Sequence, residues 1–301
     1  MKYAHILMAV ASEFWAIDAA KFDQIVAFLA LQAAGEKLTA EQVAKISNKS
    51  ANDVARRDGA VALLPLRGVL ANRMSMMSDI SGGTSYDGFA RQLDNAVADS
   101  DVKAIVIDVD SPGGVVTGAD ELSSRIFAAR GTKPIIAHVN GSMASAAYWV
   151  GSGADEIVLT PSSEAGSIGI LGVHDDVSAA LEKAGVKKTV ISAGKFKAEG
   201  SPFGPLSEEA IAHRNERAQH YYDTFVRRVA ENRGRPLSAV RDGFGQGRMV
   251  TSAAAVAEGM ADRIASLDET LARFGVRTQA QPSKTRAFAI ERERRALDLN
   301  S

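Results

Sequence analysis

Apolar positions along the chain fall into two rhythms. Short, nearly unbroken apolar runs stand at 61–66, 104–109, 135–139 and 157–160, with a weaker one at 188–192. Runs of that length read as strands, and strands covered on both faces need no polar alternation. Between them the period changes: Phe89, Leu93 and Val97 recur at helical spacing within 86–98, and 119–129 and 177–184 read as further helices. This alternation predicts an α/β fold of parallel strands joined by crossover helices. A long helix is predicted over 207–232, with Ser207-Glu208-Glu209 as cap and acidic first turn and with Gly234 and Pro236 as its stop. Residues 1 to about 50 read as helical, with Phe22, Ile25, Val26, Phe28 and Leu29 as the buried face.

Polar residues 45–58 then serve as a linker, and the charged stretch 277–301, with Glu291-Arg292-Glu293-Arg294-Arg295, reads as a solvated tail. Three regions follow: a helical extension and linker over 1–58, a catalytic-sized α/β domain over 59–276, and the tail over 277–301. Met74, Met76 and Met77 ahead of Gly82-Gly83 mark an apolar loop, either packed on its own domain or meeting a substrate or a second subunit. Lys2 and the apolar stretch to Ala9-Val10-Ala11 mimic a secretion signal. His5 interrupts that stretch and Glu13-Phe14-Trp15 follows it, so it is read as part of a soluble domain.

Composition narrows the chemistry. With 46% hydrophobic residues in 301, the chain can bury a real core. Lys and Arg total 35 against 36 Asp and Glu, which lacks the basic footprint of a nucleic-acid binder. No cysteine is present, so disulfides, thiolate metal sites and a cysteine nucleophile are excluded. No apolar run approaches the roughly 18 residues of a membrane span.

Small residues concentrate at three junctions. Asp110-Ser111-Pro112-Gly113-Gly114 follows the 104–109 run, and paired glycines there can aim backbone amides at an oxyanion. A plain structural turn explains the same residues. Asn140-Gly141-Ser142-Met143-Ala144-Ser145-Ala146-Ala147-Tyr148-Trp149 follows the 135–139 run and displays Ser145 where a helix begins, as a nucleophile requires. Helix capping by Ser142 or Ser145 is the competing explanation. Gly166-Ser167-Ile168-Gly169 comes next, and later Gly194-Lys195-Phe196-Lys197, where a desolvated lysine would be a base and a solvated one would not. Of the five histidines, His5, His138, His174, His213 and His220, only His174 is placed to serve Ser145 instead. Asp108 and Asp110 are not read as a joint metal site.

In this order the junctions resemble those of the signal peptide peptidase A and phage protease C family, Ser–Lys serine peptidases on a Clp-protease/crotonase-like fold of repeated ββα units. Asp110 to Gly114 is similar to the family's oxyanion turn and Ala144-Ser145-Ala146-Ala147-Tyr148 to its nucleophile motif. Gly166-Ser167-Ile168-Gly169 and Gly194 to Lys197 with Gly200-Ser201-Pro202 resemble its next two elements. Gly247-Arg248-Met249-Val250 and Ala257-Glu258-Gly259-Met260-Ala261-Asp262 resemble its closing strand–helix–strand, so the likeness spans about 61–275.

The resemblance implies Ser145 as nucleophile, Lys197 as general base and Ser167 as the residue that orients the lysine. The oxyanion hole falls to Gly114 and Ala146, with Gly113 beside them. It further implies no cofactor, a polypeptide substrate, a homo-oligomeric ring and no binding to nucleic acid or membrane. The missing anchor and the entry segment Leu64-Pro65-Leu66-Arg67-Gly68-Val69 favour a phage or prophage head-maturation protease that cuts scaffold and capsid proteins in the host cytoplasm or procapsid. A soluble housekeeping peptidase is the alternative. A crotonase-type acyl-CoA enzyme and a catalytically silent assembly protein are the readings from other classes. Ala146-Ala147 departs from the family's usual Gly-Gly, and the added methyls are expected to narrow the substrate pocket.

Overall fold

The apolar runs become the centre of an eight-stranded sheet. The computed structural model describes residues 13–33, 56–72 and 83–276. In chain order it begins with β1 (Phe14–Ile17), α1 (Ala19–Ala33), β2 (Arg56–Asp58), β3 (Val61–Arg67), β4 (Leu70–Ala71), β5 (Thr84–Ser85) and α2 (Tyr86–Ala98). There follow β6 (Ala104–Ser111), β7 (Gly113–Val115), α3 (Ala119–Ala128), β8 (Ile135–Ala144), α4 (Ala146–Gly151), β9 (Glu156–Leu159), β10 (Glu164–Gly166) and β11 (Leu171–Gly172). The last part holds α5 (Ser178–Lys183), α6 (Glu208–Arg233), α7 (Leu237–Asp242), β12 (Met249–Thr251), α8 (Ser252–Glu258), β13 (Arg263–Ile264) and α9 (Leu267–Ala272).

Strands β3, β6 and β8 pair in parallel, Leu64 opposite Ile107 and Ile107 opposite Ala137. Strand β8 outruns its neighbours and changes partner midway: Ile136 to Val139 pair with β9, whereas Ser142 to Ala144 pair with β10. Burial on both faces explains the unbroken apolar runs. Leu64, Leu66, Ile105, Ile107 and Val139 join the main core, while Val61, Leu63, Val106 and Ile136 pack on the opposite face with Ala265 and Leu271. A second sheet in the order β11-β1-β7-β4-β5 lies where β6 turns into β7.

Helices α2 and α3 fall where the sequence pattern puts them, and α6 is capped by Ser207, whose Oγ accepts from Ala210 N–H, and closed by Gly234 at φ 59. Two expectations fail. Residues Phe14–Ile17 form a strand rather than helix, because the edge of β7 offers them backbone partners, and only Ala19 onward is helical. The 188–192 segment forms no strand: Val190 and Ile191 stand exposed and no sheet edge among the described residues meets them. The N-terminal signal-like stretch, the Met74–Met77 loop, most of the 45–58 linker and the 277–301 tail lie outside the described residues.

Helix α6 reaches α4 through its C-terminal half. Phe225 stacks on Trp149 of α4 with ring centroids 4.4 Å apart and 6° between planes. Buried Asn232 donates from Nδ2 to Ser123 Oγ (2.9 Å) and Ser152 Oγ (2.8 Å), tying α6 to α3 and to the end of α4. Asn232→Ala removes the donor that both hydroxyls accept from, leaving each only its own bond to Trp149 O, and should lower unfolding free energy by about 2 kcal/mol in urea titration. His138 on β8 is fully buried with Nδ1 3.2 Å from Thr270 Oγ1, and desolvation, partly opposed by Asp108, holds its pKa below the ordinary value. A depressed pKa means that below about 6.5 the unfolded chain takes the proton and the native chain does not. Stability should therefore be full above that pH and fall as pH drops through and below it, and His138→Leu should flatten that slope in a melting series.

Candidate active site

Ser145 sits where β8 ends and α4 begins. Its backbone is at φ 53 and ψ −115, a region that non-glycine residues rarely occupy. The turn is held from both sides: Ser145 N–H donates to Gly166 O at 2.7 Å, and Ser145 O accepts from Trp149 N–H at 2.9 Å. The hydroxyl does not cap α4. Oγ instead lies 3.4 Å from Gly169 O, in a residue only 1% exposed. Capping therefore does not explain this serine; a strained turn that aims the hydroxyl sideways does. Ser142 is placed differently, with its N–H 3.3 Å from Asp110 Oδ1.

Ser167 shares the unusual backbone, at φ 54, and its N–H donates to Arg248 O at 2.9 Å. It follows Gly166, whose carbonyl holds Ser145, so the two serines are fixed on one ladder. A Cβ on Gly166, at φ +131, would strike Arg248 O, which is why glycine stands there.

The glycine pair is packed still more tightly. A side chain at Gly114 would run into the Leu70 backbone, and one at Gly113, at φ +98, would strike Ala16 O while lying 3.1 Å from Ala146 N. Gly113, Gly114 and Ala146 thus converge beside Ser145. The Gly113 N–H is already engaged, donating to Ser111 Oγ at 3.1 Å while that hydroxyl donates to Gly68 O at 2.7 Å. Gly113 therefore shapes the turn rather than offering its amide. Ala146 and Ala147 are wholly buried in the main core, so their methyls pack inward.

Lys197 is not brought into this cluster. Its side chain is exposed on the 185–206 loop, where its N–H donates to Gly194 O at 3.2 Å. Lys195 is engaged elsewhere, with Nζ 3.0 Å from Glu209 Oε1 and over the Phe196 ring. His174 Nε2 lies 3.1 Å from Gly204 O, and His138 faces Thr270 on the other side of the sheet, so neither is seen paired with Ser145. Asp108 is buried against Arg67, while Asp110 is exposed at the Ser142 turn; two residues apart on β6 they share a face, and the register irregularity between Val109 and Ser111 accompanies the change from buried to exposed. Sequence reasoning missed the carbonyls of Gly166, Gly169 and Arg248, which no residue-type signal marks, and missed β1.

Among proteins of known sequence, a model of peptidase family S49 matches residues 128–280. Capsid assembly protease C of Escherichia phage lambda is 27% identical over 274 residues, 89% of this chain and 62% of its own length. Head-tail preconnector protein GP5 of Enterobacteria phage P21 is 35% identical over 62% of this chain and 37% of its own. Protease 4 of Salmonella typhi is 32% identical over 71% of this chain and 34% of its own. The chain thus spans less than two thirds of each of these relatives.

The backbone at 145 can be tested without activity. Glycine accepts positive φ and alanine does not, so Ser145→Gly should exceed Ser145→Ala in unfolding free energy by about 1 kcal/mol, measured by chemical denaturation. The reverse order would contradict the strained turn.

Proposed function

The chain belongs to peptidase family S49, and from that premise we propose that it is a serine endopeptidase with Ser145 as nucleophile and Lys197 as general base. The observation that carries this reading is the Ser145 turn: buried, left-handed, not capping its helix, and adjacent to the small-residue junction of Gly113, Gly114 and Ala146. Neutral Lys197, oriented by Ser167, takes the hydroxyl proton as Oγ attacks a peptide carbonyl. The tetrahedral oxyanion settles on the amides of Gly114 and Ala146, with Gly113 leaving room for it. The lysine ammonium then protonates the leaving amine, and water releases the acyl group by the same route.

An amine serves as a base near neutral pH only when it is taken out of water. Lys197 is exposed, and its loop also exposes Val190 (47%), Ile191 (95%) and Phe196 (49%). In this reading a second copy of the chain covers the loop, and the working enzyme is a homo-oligomeric ring whose closure desolvates the lysine. The phage relatives favour head maturation as the role, with scaffold and capsid proteins as substrates in the host cytoplasm or procapsid. The Salmonella relative favours the alternative, a housekeeping peptidase. No described helix is long and apolar enough to cross a membrane.

A serine-reactive phosphonate should add one label at Ser145, and Ser145→Ala should abolish peptide hydrolysis. Lys197→Arg should be inactive, because a guanidinium does not give up its proton, while Lys195→Arg and His174→Ala should keep most of the rate. Labelling at Ser142 with an active Ser145→Ala enzyme, or a dead His174→Ala enzyme beside an active Lys197→Arg one, overturns the assignment.

A further inference from the structure

The chain's own N-terminal strand fills the space beside the candidate oxyanion amides. Strand β1 runs antiparallel to β7, with Trp15 opposite Val115, Ala16 opposite Gly114 and Ile17 opposite Gly113. Two bonds bracket this stretch: Val116 N–H donates to Phe14 O at 3.1 Å, and Asp18 N–H donates to Pro112 O at 2.8 Å. Hydrogen-bonded pairs alternate along an antiparallel ladder, so Ala16 and Gly114 are the pair that exchanges both bonds. The Gly114 amide consequently faces the Ala16 carbonyl. That carbonyl is also the atom a Gly113 side chain would strike, on the side where Ala146 N lies.

On its other edge β1 pairs with β11, Phe14 opposite Gly172 and Trp15 opposite Leu171, just beyond the Gly169 carbonyl that meets Ser145 Oγ. The strand is held firmly. Trp15, Ile17 and Phe22 pack with Val69, and Phe14 lies against Tyr221 and under Arg217 of α6. All four residues of β1 are at most 6% exposed.

A peptide cut by Ser145 has to lie extended along this edge, with its scissile carbonyl on the Gly114 and Ala146 amides. The opposite edge of β7 is taken by β4, Leu70 opposite Gly114. We propose that β1 is a built-in occupant of the substrate cleft, bound in the register of an extended peptide substrate with the Ala16–Ile17 bond at the oxyanion amides. The resting chain is thereby self-inhibited until β1 is displaced. This rests on Ser145 being the nucleophile. It goes further by assigning the cleft a resident ligand: an extended, apolar segment with a small residue at the position presented to the amides. A site whose open form is only a fraction of the population binds a competing peptide more weakly by that fraction.

The test uses the full chain and a fluorescent peptide with the sequence of residues 13–20. In the Ser145→Ala background, where turnover cannot interfere, Ala16→Pro removes the N–H that Gly114 O accepts. It should tighten peptide binding by about tenfold or more. Trp15→Ala, which loosens the anchor without touching the backbone, should act in the same direction. With Ser145 intact, both variants should lower KM for an extended reporter peptide and leave kcat nearly unchanged. A variant-free arm is hydrogen exchange on the unaltered chain: saturating peptide should strip protection from the amides of Phe14 to Asp18. Peptide that binds without exposing those amides overturns the proposal. So does affinity unchanged by both substitutions, or absence of peptide binding in every form. Failure of the nucleophile assignment reads out separately, as absence of phosphonate label at Ser145 in the Ala16→Pro chain.

Discussion

Backbone meets backbone at Gly113 and Gly114, and the rest of the site depends on that contact. No side chain fits at either position: one would enter the Leu70 backbone and the other the Ala16 carbonyl. Because both glycines are bare, β7 can lie between β4 and β1 and still reach the N-terminus of α4. The small sheet thus joins a backbone contact to an apolar cluster of Trp15, Ile17, Phe22 and Val69. Ser111 secures the approach, linking Gly68 O to Gly113 N–H through one hydroxyl. Replacing either glycine would disturb the sheet and the candidate oxyanion amides together.

The second constraint is the length of β8. Its first half is clamped in the parallel sheet, and its second half leaves β9 for β10 and ends at the Ser145 turn. The positive φ at Ser145 costs free energy that only rigid surroundings can offset. Those surroundings are the Gly166 bond, the buried α4 and the Trp149–Phe225 stack. Burial thus runs continuously from the core to the hydroxyl, so the proposed nucleophile is part of the folded chain rather than attached to its surface.

The parallel strands and the main helices were legible because their pattern is set by burial on both faces or on one, which leaves a period in the sequence. Residues 14–17 were not, since Phe14, Trp15 and Ile17 fit a helical stripe with Phe22 and Ile25 as well as they fit a strand. Only the tertiary edge of β7 decides between them. Val190 and Ile191 misled in the other direction, a β-rich run without a partner edge among the described residues. At the site, Ser145, Ser167 and the glycines stood out through small residues at strand ends, and the family resemblance gave them roles. The carbonyls that position them have no side-chain signature and became visible only in three dimensions.

Lys197, proposed as the base, shows why a base is harder to read than a nucleophile. A serine's usefulness follows from its turn, which one chain can build by itself. An amine's usefulness follows from the removal of water, which is a property of whatever covers it. Here Ser145 and the glycines belong to the core, whereas Lys197 stands on an exposed loop beside exposed Val190, Ile191 and Phe196. Folding and catalytic competence are then separable. Under the proposed roles, the core with β1 beside Gly114 is complete in the single chain, while covering the Lys197 loop is left to a second copy.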